Sequence, residues 1–167
     1  MQIQVRPILD RLLSINDQTE TGENMSLDVH INRHDEFLEL VIAGAFELEA
    51  AIKTFQQLLI TSSYHDVSKV LVDFRSLSKI PAAIEKIIYA FESLDHYLCH
   101  LSTGGQELMI AYVGSPPFIS SYRPGMEIAK ANNLSVDLFT DIEKAYNWLG
   151  ITPPDGTQST GRITSGN

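Results

Sequence analysis

The sequence contains only one cysteine, Cys99, among its 167 residues, and it has no long apolar run. A lone cysteine excludes an internal disulfide and a cysteine-rich zinc site, so the sequence does not require an oxidising compartment. No apolar run approaches the roughly 18 to 20 residues that a membrane-spanning helix requires. The N-terminus also lacks the basic-then-apolar pattern of a secretory signal. We therefore predict a cytoplasmic protein without a membrane span.

Basic residues are also scarce, since 12 Lys+Arg stand against 21 Asp+Glu and give a formal net charge of −9. Such a surface repels the phosphates of nucleic acids and acidic lipid headgroups. The glycine-rich signatures that hold phosphate groups at a helix start are missing, because Gly104 and Gly105 precede a predicted strand. The sequence thus predicts no nucleic-acid partner and no cofactor.

The chain divides into three regions by composition. Residues 25–150 carry a continuous globular pattern and predict a single domain. Residues 151–167 are rich in Pro, Gly, Ser and Thr, which predicts a disordered tail because little apolar surface is available to offset the entropy of ordering.

Residues 1–24 are predicted to be an N-terminal extension. Apolar residues at helical spacing within 3–15 predict a short amphipathic helix, and a polar linker follows it. The apolar residues that define this spacing are Ile8, Leu9, Leu12 and Leu13. Two interpretations stay open: a genuine N-terminal arm, or a chain that starts at Met25 with an upstream extension.

The domain begins with a predicted β-hairpin. Leu27, Val29 and Ile31 alternate with polar residues, as in a half-buried strand. Four polar residues, 33–36, separate this run from a second strand at 37–43, which predicts an antiparallel pair.

Helices and buried strands then alternate. Apolar residues recur at helical spacing from Leu48 to Leu59, and Val70 to Val72 form a short buried strand. Pro81 is expected in the first turn of the next helix, and Thr140 with Glu143 has the spacing of a capping box for the last one. The predicted order ββαβαβαβα indicates an α/β fold with a mostly parallel sheet.

Three segments in this order resemble STAS domains, the family named for sulfate transporters and anti-sigma-factor antagonists. The resemblance covers roughly residues 27–150. Its carriers are Glu39-Leu-Val-Ile-Ala-Gly44, Lys69-Val-Leu-Val-Asp-Phe-Arg-Ser-Leu77 and Phe139-Thr-Asp-Ile-Glu-Lys-Ala-Tyr-Asn-Trp-Leu149.

One departure from the family pattern affects function. Anti-sigma-factor antagonists carry a phosphorylatable serine or threonine at the start of the helix that follows the Val70 strand. Here the stretch is Ile80-Pro-Ala-Ala-Ile84, so Ala82 and Ala83 exclude a phosphorylation switch at that point. The resemblance then implies a non-catalytic, regulatory binding module, engaging a protein partner or a small anionic or lipid-like ligand held between helices and sheet.

His96, Cys99 and His100 lie near the end of the predicted helix that begins near Pro81, where two histidines at i and i+4 share a face. A structural metal site needs further ligands, and a catalytic cysteine needs oxyanion donors that the C-terminal end of a helix does not offer. We therefore predict neither a metal site nor catalytic residues, and no enzymatic activity.

The loops expected at the carboxyl ends of the third and fourth strands, 74–81 and 114–124, are the candidate binding edge. They concentrate positive charge and hydroxyl groups on an acidic protein, which suits an anionic group. The predicted edge comprises Asp73, Arg75, Ser76, Ser78, Lys79, Ser115, Tyr122 and Arg123. Asp73 is expected to accept a hydrogen bond from the ligand, to pair with Arg75, or to cap nearby backbone N–H groups.

Two other functions remain open. An enzyme with an atypical site around Asp73 and Arg123 would show perturbed pKa values in a deep cleft. A structural homodimer would use the N-terminal helix to dock on a neighbouring copy.

Overall fold

A computed structural model describes residues 26–116, 118–119 and 123–154. Residues 1–25, Tyr122 and residues 155–167, which include the predicted extension and most of the predicted tail, lie outside the described residues. The described residues form one five-stranded sheet and four helices. The strands are β1 (Leu27–Arg33), β2 (Leu38–Ala45), β3 (Lys69–Lys79), β4 (Met109–Val113) and β5 (Ser135–Phe139). The helices are α1 (Leu48–His65), α2 (Ala83–Ser102), α3 (Pro124–Ala131) and α4 (Ile142–Leu149).

The sheet follows the order of the chain, β1-β2-β3-β4-β5. β1 pairs antiparallel with β2, while the other three pairs are parallel. The predicted fold class and the element order ββαβαβαβα are therefore confirmed. Within the described part of the chain, none of the helices is both long and apolar enough to cross a bilayer.

The sheet separates two apolar cores. Each of the three parallel connections runs from one strand through a helix to the neighbouring strand, always in the same direction across the sheet. Because such connections are right-handed, α1, α2 and α3 cover the same face. On that face Val70 and Val72 of β3 pack with residues of α1 and α2. On the other face Leu71 packs with α4, so successive β3 residues serve opposite cores.

The strand β3 is longer than the sequence indicated. Residues 74–79, predicted as a loop, continue the strand and pair with β2 up to Ala45↔Lys79. β4 ends opposite Asp73, so this extension has a strand neighbour on one edge only. That solvent-exposed edge explains the polar composition that favoured a loop, and the prediction of a loop there is wrong.

Two predicted helix starts also need correction. Pro81 precedes α2 instead of lying in its first turn, and the Glu85 carboxylate accepts a 2.7 Å hydrogen bond from the Ala82 N–H. At α4 the capping residue is Asp141, whose Oδ1 accepts from the Glu143 N–H at 3.0 Å. Asp141 has the extended backbone that a helix cap needs, one residue later than the predicted Thr140.

The end of the domain lies slightly beyond the predicted boundary. Gly150 ends α4 in the left-handed conformation, with φ 62°. Ile151 is buried against the core under α4, although the sequence placed it at the start of the tail.

Candidate functional site

A cavity of about 250 Å³ lies between the sheet and the layer formed by α1, α2 and α3. Its walls are mostly apolar: the sheet contributes Leu40, Val72 and Ile110, and α1 contributes Phe55 and Leu58. A pocket of this composition favours the apolar part of a ligand because water gains little by occupying it.

The side chains of α2 that face the cavity change from charged to hydroxyl-bearing to mostly apolar along the helix. Lys86 lies in the first turns, Tyr89 and Ser93 follow, and Tyr97 lies deeper toward the C-terminal half. These residues share one face of α2 because they are spaced by three or four positions. The cavity is therefore cationic near the start of α2, hydroxyl-rich in the middle and apolar beyond.

Two tyrosine hydroxyl groups meet inside the cavity. The hydroxyl of Tyr89 on α2 lies 3.3 Å from that of Tyr112 on β4. Burial raises the pKa of Tyr89 above its usual value, and it raises the pKa of Tyr112 well above its usual value. Both side chains keep some accessible surface because they line the cavity. The pair therefore stays neutral at physiological pH and can hydrogen-bond to a polar ligand group.

Ser93 adds a third hydroxyl to this group. Its side chain is buried, and among the described residues its Oγ has no hydrogen bond of good geometry, although its proximity to the Tyr89 hydroxyl partly offsets the rise in the pKa of Tyr89. A buried hydroxyl without a full partner costs free energy. A ligand acceptor in the cavity would satisfy it.

We expect Ser93→Ala to raise the free energy of unfolding of the ligand-free protein by about 1 kcal/mol. Ser62→Ala is the matched control, since Ser62 is also buried on a helix, α1, but its Oγ donates to the Leu59 carbonyl at 2.9 Å. That control should lower the stability by about 1 kcal/mol. Urea titrations measure both, and equal losses in the two variants would refute the assignment of Ser93 as an unsatisfied group.

The cationic part of the cavity lies at the carboxyl ends of the strands. Arg123, which precedes α3, lines the cavity there, and Lys86 Nζ lies 3.4 Å from the Phe118 carbonyl oxygen. The helices α2 and α3 both begin at this end, so the positive ends of their dipoles are directed toward it. An anionic group is therefore favoured at this end of the cavity.

Two residues of the predicted binding edge, Asp73 and Arg75, pair with each other, which was one of the alternatives expected for Asp73. Arg75 donates to both carboxylate oxygens of Asp73, at 2.9 and 2.6 Å, and this partner raises the pKa of Arg75. Both charges also interact with Tyr146 of α4. Asp73 and Arg75 therefore lie on the α4 face of the sheet, and Arg123 lies on the cavity face.

The other predicted edge residues are divided as well. Ser76, Ser78 and Lys79 are exposed at the end of β3, and Ser115 is half-buried in the loop after β4. Tyr122 is outside the described residues. Of the predicted set within the described residues, Arg123 alone lines the cavity.

His96 and His100, the histidines considered as metal ligands or catalytic bases, make hydrogen bonds between α2 and adjacent segments. His96 Nε2 lies 2.7 Å from the Gln56 amide nitrogen of α1, and His100 Nε2 donates to the Gln106 carbonyl at 3.0 Å. Cys99 is exposed. No cluster of three or more His, Cys, Asp or Glu side chains suited to a metal occurs in the described ranges.

Sequence reasoning missed Lys86, Tyr89, Ser93 and Tyr112 as site residues. The available signal was the spacing of Lys86, Tyr89 and Ser93 by three or four residues, which places these polar groups on one face of the helix. Tyr89 and Ser93 are spaced by four residues there, and Tyr112 stands in the buried strand β4.

No protein-family profile and no curated protein sequence matches the chain. Among solved structures, it is similar to an anti-sigma factor antagonist from Mycobacterium paratuberculosis, with a TM-score of 0.48 and 12% identity over 76% of this chain and 97% of the other. The anti-sigma factor antagonist SpoIIAA in its unphosphorylated form matches with a TM-score of 0.42 and 11% identity, over 77% and 100% of the two chains. An uncharacterized protein with a SpoIIAA-like fold from Shewanella loihica PV-4 matches with a TM-score of 0.43 and 17% identity, over 78% and 99%.

The element order and the mostly parallel sheet of the chain itself are those expected from the resemblance to STAS domains. Ala82 is the N-cap of α2 and Ala83 is its first residue, so neither position at the start of this helix carries a hydroxyl group. We infer the function from this chain's own cavity and charges.

Proposed function

We propose that this protein binds a small amphipathic molecule, an apolar chain with an anionic end, in the cavity between its helices and its sheet. The observation that carries the proposal is the ordered change along the cavity from Lys86 through the hydroxyls of Tyr89, Tyr112 and Ser93 to apolar walls. The proposed role is binding without a chemical reaction.

The cavity volume sets the size of the ligand. An apolar cavity of about 150 Å³ holds one benzene molecule, with its six carbons. By that measure, the 250 Å³ here accommodates about ten carbons. A ten-carbon fatty acid fits this description, with its tail among Leu58, Val72 and Ile110 and its carboxylate near Lys86.

The charges near Lys86 and Arg123 favour the anionic form of such a molecule. The carboxylate meets a cationic group and two helix N-termini at one end of the cavity, while the rest of the protein surface is acidic. The enzyme considered from the sequence would need Asp73 and Arg123 to act on one substrate, yet the sheet lies between them.

A titration with decanoic acid and with decan-1-ol tests the proposal. The two have the same chain, and the alcohol lacks the charge. We expect decanoate to bind lipid-free protein with a dissociation constant on the order of 10 μM, and the alcohol to bind more weakly. Isothermal titration calorimetry measures both.

The variant Lys86→Gln separates the charge contribution from burial of the chain. We expect it to weaken decanoate binding about tenfold, because a charge-assisted contact worth about 1.4 kcal/mol is lost. Binding of decan-1-ol should not change.

Lys79→Gln is the matched control, since Lys79 is an exposed cation at the same edge of the sheet but does not line the cavity. The proposal is wrong if neither compound binds saturably. It is also wrong if Lys79→Gln and Lys86→Gln weaken decanoate binding equally, because the attraction would then be a general property of that edge.

Regulation through a protein partner, the other mode of binding expected from the sequence, would use the outer surface of the domain. The outer face of α2 carries four of the large exposed apolar side chains among the described residues, Ile84, Ile88, Phe91 and Leu98, and such a partner would bind to this surface.

A further inference from the structure

The helix α2 exposes an apolar stripe on the side that faces away from the cavity. Ile84, Phe91 and Leu98 are 60%, 58% and 44% exposed, and Ile88 lies between the first two. At 100° per residue these four positions fall within one narrow face, opposite the face that carries Tyr89 and Ser93. We call the four residues the α2 stripe.

A helix with apolar side chains on two opposite faces is normally covered on both. The inner face of α2 packs on the sheet and around the cavity, while the α2 stripe has no cover among the described residues. A run of large apolar side chains in water is unfavourable and marks a surface that binds another segment.

The N-terminal segment enters the domain close to this helix. Leu27 pairs with Gly44 at the carboxyl end of β2, and Gly44 pairs with Leu77 near the end of β3. The chain then reaches α2 at Ala83, and both Leu27 and Pro81 line the same end of the cavity. Residues 1–25 therefore leave the domain at the end where α2 begins.

Residues 3–15 are long enough to cover the α2 stripe. Positions 84 to 98 span roughly 21 Å along a helix. A helix that starts at Pro7, where proline suits the first turn, and runs to Ile15 would be roughly 14 Å long, and residues 3–6 add up to roughly 13 Å when extended. The linker of residues 16–26 reaches up to about 36 Å when extended, which is ample for a site at the same end of the sheet.

The charges of the two elements are complementary. Residues 3–15 carry Arg6 and Arg11 against one acidic residue, Asp10. On α2, Glu92 and Asp95 lie within or beside the α2 stripe. Residues 3–15 therefore carry a net positive charge in a chain that is acidic as a whole. The side of α2 where the stripe lies carries negative charge, so the two would attract each other.

We propose that residues 3–15 of the same chain bind the α2 stripe, with Ile8, Leu9, Leu12 and Leu13 covering Ile84, Ile88, Phe91 and Leu98. This contact completes the outer layer of the domain, and it does not depend on a ligand in the cavity.

The single cysteine provides a direct test on the full chain. Cys99 is exposed and follows Leu98, so a nitroxide attached there reports on nuclei near the α2 stripe. In NMR spectra of isotope-labelled protein, we expect the amides of residues 3–15 to lose most of their intensity. A second sample, in which the nitroxide and the isotope label are on different molecules, should show no such loss.

Two variants keep the test decisive. Leu9→Asp combined with Leu12→Asp removes the proposed contact and should restore the intensities, whereas Ser14→Asp, with the same type of charge on the predicted polar face, should leave them low. Phe91→Ser tests the α2 side without altering the segment, and it should also restore them.

Undiminished intensities of residues 3–15 in the first sample would overturn the proposal. Intensity loss in the mixed sample as well as in the first would also overturn it, because the segment would then cover the stripe of a second copy. A separate protein that binds the stripe with equal affinity in the presence and absence of the Leu9→Asp/Leu12→Asp change would show that the segment does not occupy it.

Discussion

Replacing Ala51 with phenylalanine (Ala51→Phe) is expected to weaken decanoate binding by about tenfold or more. Ala51 lies on α1 and lines the cavity. A phenyl ring takes about the space of benzene, which fills roughly 150 Å³. Since that is more than half of the 250 Å³ present, the alkyl chain loses most of its site. Calorimetric titration of the variant measures the effect.

Ala50→Phe is the matched control for this substitution. Ala50 is the neighbouring residue of α1 and does not line the cavity, so the same side chain is added to the same turn of helix on another face. Decanoate should bind Ala50→Phe as it binds the unmodified protein. Urea titration of Ala51→Phe should show stability equal to or above that of the parent, because filling a cavity commonly adds about 0.5 to 2 kcal/mol. Unchanged decanoate binding in Ala51→Phe would place the ligand outside the cavity.

The sequence predicted the fold well because the sheet has regular surroundings. Leu27, Val29 and Ile31 alternate with polar residues because β1 is an edge strand with one face toward water. Val70 to Val72 form a continuous apolar run because β3 is covered on both faces in the structure. In both strands the burial of a residue depends only on which face of the strand carries its side chain. The local alternation of apolar and polar residues was therefore sufficient to predict both strands.

The predicted binding edge combined residues that lie on both faces of the sheet, because residues 74–79 of β3 were taken for a loop. Residues of a loop can turn toward one site, whereas residues of a strand alternate between the two faces. Asp73 and Arg75, two positions apart on β3, therefore share the α4 face and pair with each other. Arg123 belongs to another element and lies on the cavity face.

The cavity was beyond sequence reasoning for a different reason. The volume of a cavity depends on how side chains from the sheet and three helices pack together, so the sequence pattern of any one helix or strand cannot predict it. The spacing of Tyr89 and Ser93 places them on one face of α2. Only the structure shows that Tyr112 of β4 lies opposite them and that the three hydroxyl groups line one cavity. The earlier expectation of a ligand between helices and sheet came from a family resemblance, and the cavity provides the site that such a ligand would need.

Gly44→Ala is expected to lower the free energy of unfolding by about 3 kcal/mol. Gly44 has φ 81°, a backbone conformation that costs other residues about 1 to 2 kcal/mol. In addition, a Cβ there would overlap the carbonyl oxygen of Ser26, and backbone cannot rotate away as a flexible side chain can. Equilibrium unfolding in urea measures the loss.

Gly104→Ala separates the two contributions, since Gly104 has a similar φ of 88° but no atom within 4 Å of an added Cβ. This control should cost only about 1 kcal/mol. The difference between the variants then measures how firmly Ser26 is held against β2, where the N-terminal segment joins the domain beside Leu27 and the cavity. Equal losses would mean that the start of β1 shifts freely. In that case the N-terminal segment would lack the fixed point of departure on which its reach to α2 depends.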